Sequence, residues 1–175
     1  IKEVSNFFLK SQIKLLSLND FEKISSPKEI GKTFEENAKI KSMFGLNYFN
    51  KICFADDSGI CIETLKWGPG IKSKFYLESN KDSKAVLEKI ISNAKDSKKF
   101  KAYFQTTICL SINKKSNFFF TGKISGKIAT KILGDNGFGY DPIFIPSGHK
   151  ITFAQMSLNE KNLLSHRALA MKKLI

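Results

Sequence analysis

Arginine is almost absent from this chain: of 29 Lys plus Arg in 175 residues, only Arg167 is an arginine. Arginine supplies the commonest bidentate contact to guanine edges. Its scarcity therefore argues against a base-reading DNA- or RNA-binding domain, although the formal net charge is +13. The lysines are also dispersed along the chain rather than gathered into one groove, so nucleic acid is not the expected partner. Long apolar runs are missing too. None approaches the roughly 18 to 20 residues of a membrane span, and the opening residues lack the basic-then-apolar plan of a signal peptide. The expectation is a protein with no membrane association and a cytoplasmic location. Cysteine is sparse, with Cys53, Cys61 and Cys109 forming no CxxC pair, which reads as buried reduced thiols.

What is present is enough apolar material, 42% hydrophobic residues including 16 Phe, for one domain over 1–175. Phe100, Ala102, Phe104, Thr106, Ile108, Leu110 and Ile112 alternate with more polar neighbours, the period-two pattern of a half-buried strand. The alternation resumes with Phe118, Phe120, Ile124 and Ile128 after a turn-like 113–117. Together these predict a long antiparallel hairpin, with bulges or bends at Gly122 and Gly126. Helices are predicted over 33–49, over 82–94 and at the carboxyl end over 168–174. Shorter strands are predicted over 51–55, 59–65 and 143–145. The mixture gives an α/β domain on a mixed sheet. There is no internal repeat, linker or low-complexity tract.

Several clusters carry candidate chemistry. Ala55-Asp56-Asp57-Ser58-Gly59 sets two acids and a hydroxyl at the end of an apolar strand, where α/β sites are commonly built. The same residues also suit a polar turn between two strands. Thr33 and Glu36 have the spacing of a capping box; Glu36 turned toward Asp57 would instead make an anionic oxygen site suited to Mg²⁺. Gly134-Asp135-Asn136-Gly137-Phe138-Gly139-Tyr140-Asp141-Pro142 lets backbone approach a ligand closely and presents Phe138 for stacking on a flat base. Ser165 is a natural N-cap for the last helix. Arg167 stands where a planar, permanently charged fork is needed. His149 lies in a loop with no motif around it and reads as a surface residue.

In this order, Thr33-Phe34-Glu35-Glu36-Asn37-Ala38, Ala55-Asp56-Asp57-Ser58-Gly59, Gly68-Pro69-Gly70, the segment 134–142 and Ser165-His166-Arg167 resemble the inosine and xanthosine triphosphate pyrophosphatase family. The resemblance implies an elongated mixed sheet with two lobes around a central cleft. It implies Mg²⁺-dependent hydrolysis of inosine, deoxyinosine and xanthosine triphosphates to the monophosphate and pyrophosphate, by a homodimer. Carried to matching positions, Glu36 and Asp57 would hold the metal and Asp57 would also accept the proton of the attacking water. Ser58, Phe138, Gly139, Tyr140, Asp141 and Lys161 would contact the nucleotide, and His166 and Arg167 would donate toward the 6-oxo group of the base.

The chain departs from the family pattern in three places. The usual first strand and Thr/Ser-x-Asn-x-x-Lys phosphate loop are not found, and residues 1–8 resemble the continuation of that loop. Ser73-Lys74-Phe75-Tyr76 replaces the usual Ser-Ala-Arg-Tyr, and Gln155 stands where an acid is usual. An alternative expectation is thus a catalytically impaired or inactive nucleotide-binding remnant of the same fold.

Overall fold

A computed structural model describes residues 14–21, 24–79 and 82–175; the phosphate-loop reading of 1–8 lies outside the described residues. The first long element, α1 (Phe34–Phe49), is capped by Thr33, whose side chain accepts from the Glu36 backbone N–H. It ends at Asn50 in the left-handed region. The chain then runs through β1 (Cys53–Ile62), the short β2 (Gly68–Pro69) and two helices, α2 (Ser73–Glu78) and α3 (Ser83–Ser97). The hairpin β3 (Lys101–Ser111) and β4 (Asn117–Ile128) follows. Then come β5 (Phe144–Pro146), α4 (Leu158–Leu164) and α5 (His166–Leu174). Among the described residues, no helix is long and apolar enough to cross a membrane.

The sheet order is β2-β1-β3-β4-β5, and each of these pairings is antiparallel. The α/β class and the long hairpin hold; the mixed sheet is, among the described strands, an antiparallel one. The cause is topological. Because β2 and β3 both run against β1, they share one direction, and α2 and α3 form the crossover between them. The two parallel strands are therefore separated by β1 rather than paired.

Two local expectations are corrected. Strands at 51–55 and 59–65 joined by a polar turn are instead the single strand β1, paired residue by residue with β3 from Cys53↔Ser111 to Ile62↔Ala102. A turn is not needed because the polar side chains find partners on both faces of the strand. Nor do Gly122 and Gly126 mark bulges, since β3 and β4 stay in unbroken register from Lys101↔Lys127 to Ser111↔Asn117. A Cβ at Gly122 would strike the carbonyl of His166 and the Ala170 backbone nitrogen. The glycine is there for helix packing.

Period-two alternation decides what each face carries. One face of β1 presents Ile60 and Ile62, which pack with Val86, Leu87, Ile90 and Ile91 of α3 and with Phe104, Phe144 and Phe153 into the main core. Further along that face, Ile108 packs with Ala170 and Met171 of α5. The opposite face receives α1, whose buried positions are Phe34, Asn37, Ala38, Ser42 and Gly45. These are mostly small or polar, so the helix lies close: a Cβ on Gly45 would collide with the Cys53 sulfur, and the Ser42 and Ser111 hydroxyls are 2.8 Å apart. Cys61 and Cys109 are buried, Cys53 is half-buried, and all three are free thiols. His149 is exposed, as expected.

Candidate active site

Asp57 projects from β1 toward α1 and is 4% exposed. Its Oδ1 lies 2.7 Å from the Lys41 ammonium, and its Oδ2 accepts from the Asn37 amide at 3.4 Å. Asn37 and Lys41 are one turn apart on the same face of α1, which is why both reach the strand. Burial pushes the Asp57 carboxyl above the ordinary carboxylate range; Lys41 and Asn37 pull it back and Glu29 adds to the upward push. The Lys41 ammonium also lies 3.3 Å from Glu29 Oε1. One cation thus joins the carboxylates of Glu29 and Asp57.

Glu36 is placed differently from the expectation. It is exposed, and its carboxylate accepts from the Lys32 backbone N–H at 2.6 Å. The carboxylate that meets Asp57 across a shared cation is that of Glu29. Glu35, next to Glu36 in the chain, turns to the sheet, accepting from Thr107, the residue paired with Asp57, at 3.4 Å.

The other face of β1 carries a second group. The Ser58 hydroxyl donates to Asp56 at 2.7 Å and lies 2.7 Å from the Thr106 hydroxyl. Arg167 reaches the same place from the start of α5, its Nη2 being 3.5 Å from both Ser58 Oγ and Asp56 Oδ2. Ser165 caps that helix by accepting from Ala168 N–H. This cap fixes the direction in which residues 166 and 167 leave the loop.

His166 is 5% exposed and stacks on Phe104, with ring centroids 4.6 Å apart. Burial, reinforced by the charges of Arg167 and Lys161, holds the imidazole well below its ordinary pKa, so it is neutral at pH 7. Its Nδ1 is buried and meets no hydrogen-bond partner among the described residues. Such an atom is costly to leave unpaired, and a ligand group can satisfy it.

Phe138 is 63% exposed, with the Lys161 ammonium 5.0 Å and the Arg167 guanidinium 5.7 Å from its ring centroid. Asp141 fixes it from below: one carboxylate oxygen accepts from Phe138 N–H at 2.9 Å and lies 2.7 Å from the buried Lys161 ammonium. Gly137, at φ 79°, is required there because a Cβ would strike that oxygen. Gly139 also takes a positive φ, 65°, completing the loop. The Tyr140 side chain departs from the expected contact role. It is buried, its hydroxyl donates to the Ser73 carbonyl at 2.8 Å, and burial raises its pKa. Tyr140 ties the loop to α2 and leaves only backbone to a ligand.

The structure therefore gathers Ser58, Phe138, Asp141, Lys161, His166 and Arg167 on one face of β1 and Asp57 on the other. Sequence reasoning singled out Asp56 without a role of its own and missed Glu29, Asn37, Lys41 and Thr106. The i, i+4 spacing of Asn37 and Lys41 was the available signal for two of them; Glu29 lies in a loop and had none.

The whole chain, residues 1–175, matches the model of the Ham1 family. A dITP/XTP pyrophosphatase of Flavobacterium psychrophilum is 40% identical over 167 residues, covering 95% of this chain and 87% of its own length. One from Christiangramia forsetii is 39% identical over 163 residues, covering 93% and 85%. Among solved structures, the Ham1 protein of Staphylococcus aureus superposes with a TM-score of 0.88 at 34% identity, covering 99% of this chain and 91% of that one. A HAM1 protein from Coxiella burnetii gives 0.89 at 32% identity, covering 99% and 89%. With sequence, fold and spaced motifs in agreement, the chain belongs to the Ham1 family.

Proposed function

We propose that this chain is a nucleoside triphosphate pyrophosphatase that hydrolyses inosine, deoxyinosine and xanthosine triphosphates to the monophosphate and pyrophosphate. The observation that carries the reading is the adjacency, on opposite faces of one strand, of the buried Asp57 carboxylate and the cluster of Phe138, Lys161, His166 and Arg167. The names of the curated relatives, dITP/XTP pyrophosphatase, support the same substrate class. Beside Asp57 and Ser58, β1 is bordered by β3 on one side and by no described strand on the other. A nucleotide lying across that edge would place its base on the Phe138 side and its phosphates on the Asp57 side.

On the base side, Phe138 stacks on the purine and Lys161 and Arg167 flank the stack. The neutral His166 and Arg167 meet the 6-oxo group. Hypoxanthine and xanthine present an acceptor there, whereas adenine presents an amino donor that would leave donors unpaired on both sides. Ser58, held by Asp56 and Thr106, is positioned toward the sugar and phosphate.

On the phosphate side, the chemistry of the donor set fits Mg²⁺: the oxygens of Glu29 and Asp57 already share a cation, the Lys41 ammonium, and Mg²⁺ is typically held by one or two carboxylates plus substrate phosphates. When bound, the metal would neutralise phosphate charge and polarise the scissile anhydride. Asp57 accepts the proton of the water that attacks the α-phosphorus, a task favoured by its raised pKa. The α–β bond breaks and pyrophosphate leaves. Lys41 keeps the two carboxylates from repelling each other and lies where a phosphate arrives. Glu36 serves the turn at Lys32 rather than the metal in this reading. Assembly as a homodimer belongs to the same reading.

The test is pyrophosphate release from inosine triphosphate, with adenosine and guanosine triphosphates as controls, by the chain and by its Asp57→Asn variant. Turnover of inosine triphosphate that falls about 10²- to 10⁴-fold in the variant is expected. Undiminished turnover in Asp57→Asn would refute the assignment.

A further inference from the structure

We infer that Asn37 is a positioning residue that sets the spacing between the Glu29 and Asp57 carboxylates, by bridging the loop that carries one to the strand that carries the other. The inference rests on the assignment of Glu29 and Asp57 as a cation-binding pair.

Glu29 precedes α1 in a mostly exposed segment without regular secondary structure. Asn37, by contrast, is 2% exposed and lies one turn into the helix. Its Oδ1 accepts from the backbone N–H of Gly31, two residues after Glu29, at 2.8 Å. Its Nδ2 donates to Asp57 Oδ2 at 3.4 Å. The two ends of one amide are thus used on the two segments that bear the carboxylates. A carboxylate at 37 would keep the acceptor but set a like charge against Asp57, and a hydroxyl would be too short to reach both; the amide supplies a donor and an acceptor in a rigid plane.

The close fit extends to Gly31. A Cβ built there would lie 2.6 Å from Asn37 Oδ1 and 2.7 Å from Glu36 Cβ. The loop approaches α1 as near as a backbone without a side chain can. Lys41 alone would not set the geometry, since its long flexible stem follows the carboxylates wherever they lie. The Asn37 amide is the short, buried and doubly bonded connection.

Partners behind a metal-binding carboxylate commonly affect metal affinity or activity by about 10- to 100-fold. The test measures Mn²⁺ binding directly, by electron paramagnetic resonance on nucleotide-free protein, alongside thermal melts. The proteins compared are wild type, Asn37→Ala, Gly31→Ala, their double variant and Asp57→Asn. Expected is a loss of Mn²⁺ affinity of about 10-fold or more in each single variant. The double variant should be no worse than the weaker single, because both break the same link. Gly31→Ala replaces neither Asn37 nor a carboxylate, acting by pressing a Cβ against Asn37 Oδ1, and carries the test if Asn37→Ala fails to fold. In kinetics the same variants should need more Mg²⁺ for half-maximal rate while the KM for inosine triphosphate at saturating Mg²⁺ stays within about twofold, a split that general loosening of the fold would not produce. Absence of saturable Mn²⁺ binding by wild type, or unchanged binding in Asp57→Asn, sinks the carboxylate pair and the inference with it. Binding lost in Asp57→Asn but kept in the folded Asn37→Ala or Gly31→Ala variants, or additive losses in the double variant, overturns the positioning role alone.

Discussion

Two buried residues of the site are held in states that folding alone would not choose, and each gives a test in which stability and function separate. Burial, the largest cause, lifts the folded pKa of the Asp57 carboxyl above the ordinary carboxylate value. Between that value and its folded pKa the native state binds more protons than the unfolded one, so stability falls as pH rises through the window and the penalty is fully present above the folded pKa. Asp57→Asn should therefore melt at or above the wild-type temperature at pH 7 while losing turnover; a melt several degrees lower would mean that the Lys41 pair stabilises the fold more than burial destabilises it. His166 is the mirror case. Its folded pKa lies well below 6.5, so as pH falls through about 6.5 the unfolded chain gains a proton that the native one refuses, and stability declines. His166→Phe keeps the stack on Phe104 and removes the unpaired Nδ1. The variant should be at least as stable at pH 7 and should lose less stability than wild type between pH 7 and 5. Its preference for inosine over adenosine triphosphate should fall about 10-fold or more, read as a ratio of kcat/KM values. Unchanged selectivity would remove His166 from base recognition.

The elements matter through how closely they approach the sheet. Helix α5 carries His166 and Arg167, and it can lie against β4 only because Gly122 has no side chain where the His166 carbonyl and Ala170 nitrogen come down. Gly122→Ala should destabilise by about 1 to 3 kcal/mol through overpacking. By displacing α5 it should raise the KM for inosine triphosphate several-fold while leaving the Mg²⁺ requirement unchanged, because Glu29, Asn37 and Asp57 lie on the opposite face. Denaturant melts and metal titrations check both parts; an altered Mg²⁺ requirement would mean the two faces are coupled. The same glycine illustrates what was legible in advance. The period-two pattern located the hairpin because a half-buried sheet face requires it, and the caps Thr33 and Ser165 located helix starts because orphan backbone donors require them. But a glycine in a strand looks the same whether it marks a bulge or a helix docking point, and that distinction lies in residues 44 to 48 positions away. Likewise Asp56-Asp57-Ser58 reads as a turn until Asn37, Lys41 and Thr106 are seen to satisfy its side chains. The spaced motifs exposed the cluster of Phe138, Lys161, His166 and Arg167, whereas the place of Glu29 beside Lys41 depended on a loop whose course no local pattern fixes.

At the scale of the whole molecule the unexplained quantity is the charge of +13, carried almost wholly by lysine. Dispersed lysines give an attractive field for any polyanion without recognising one, and a nucleoside triphosphate is a small polyanion arriving at a site that itself presents Lys41, Lys161 and Arg167. Such a field acts on encounter and is screened beyond about 8 Å at physiological ionic strength. In the proposed mechanism the chemical step depends instead on Asp57, whose partners are within hydrogen-bond distance and largely out of solvent. Raising salt from about 0.02 to 0.3 M should thus lower kcat/KM for inosine triphosphate several-fold through KM, with kcat nearly constant. If kcat fell in step with kcat/KM, ions would be acting on the Glu29, Lys41 and Asp57 cluster itself. Duplex DNA offers the same field a larger polyanion, but a chain with one arginine, itself placed beside Asp56 and Ser58, has little with which to read bases. DNA should compete with inosine triphosphate only at low salt and release steeply as salt rises, in the manner of counterion release. Competition that persisted at about 0.15 M salt would require a built nucleic-acid surface, and the lysine excess would then be an interface rather than a general field.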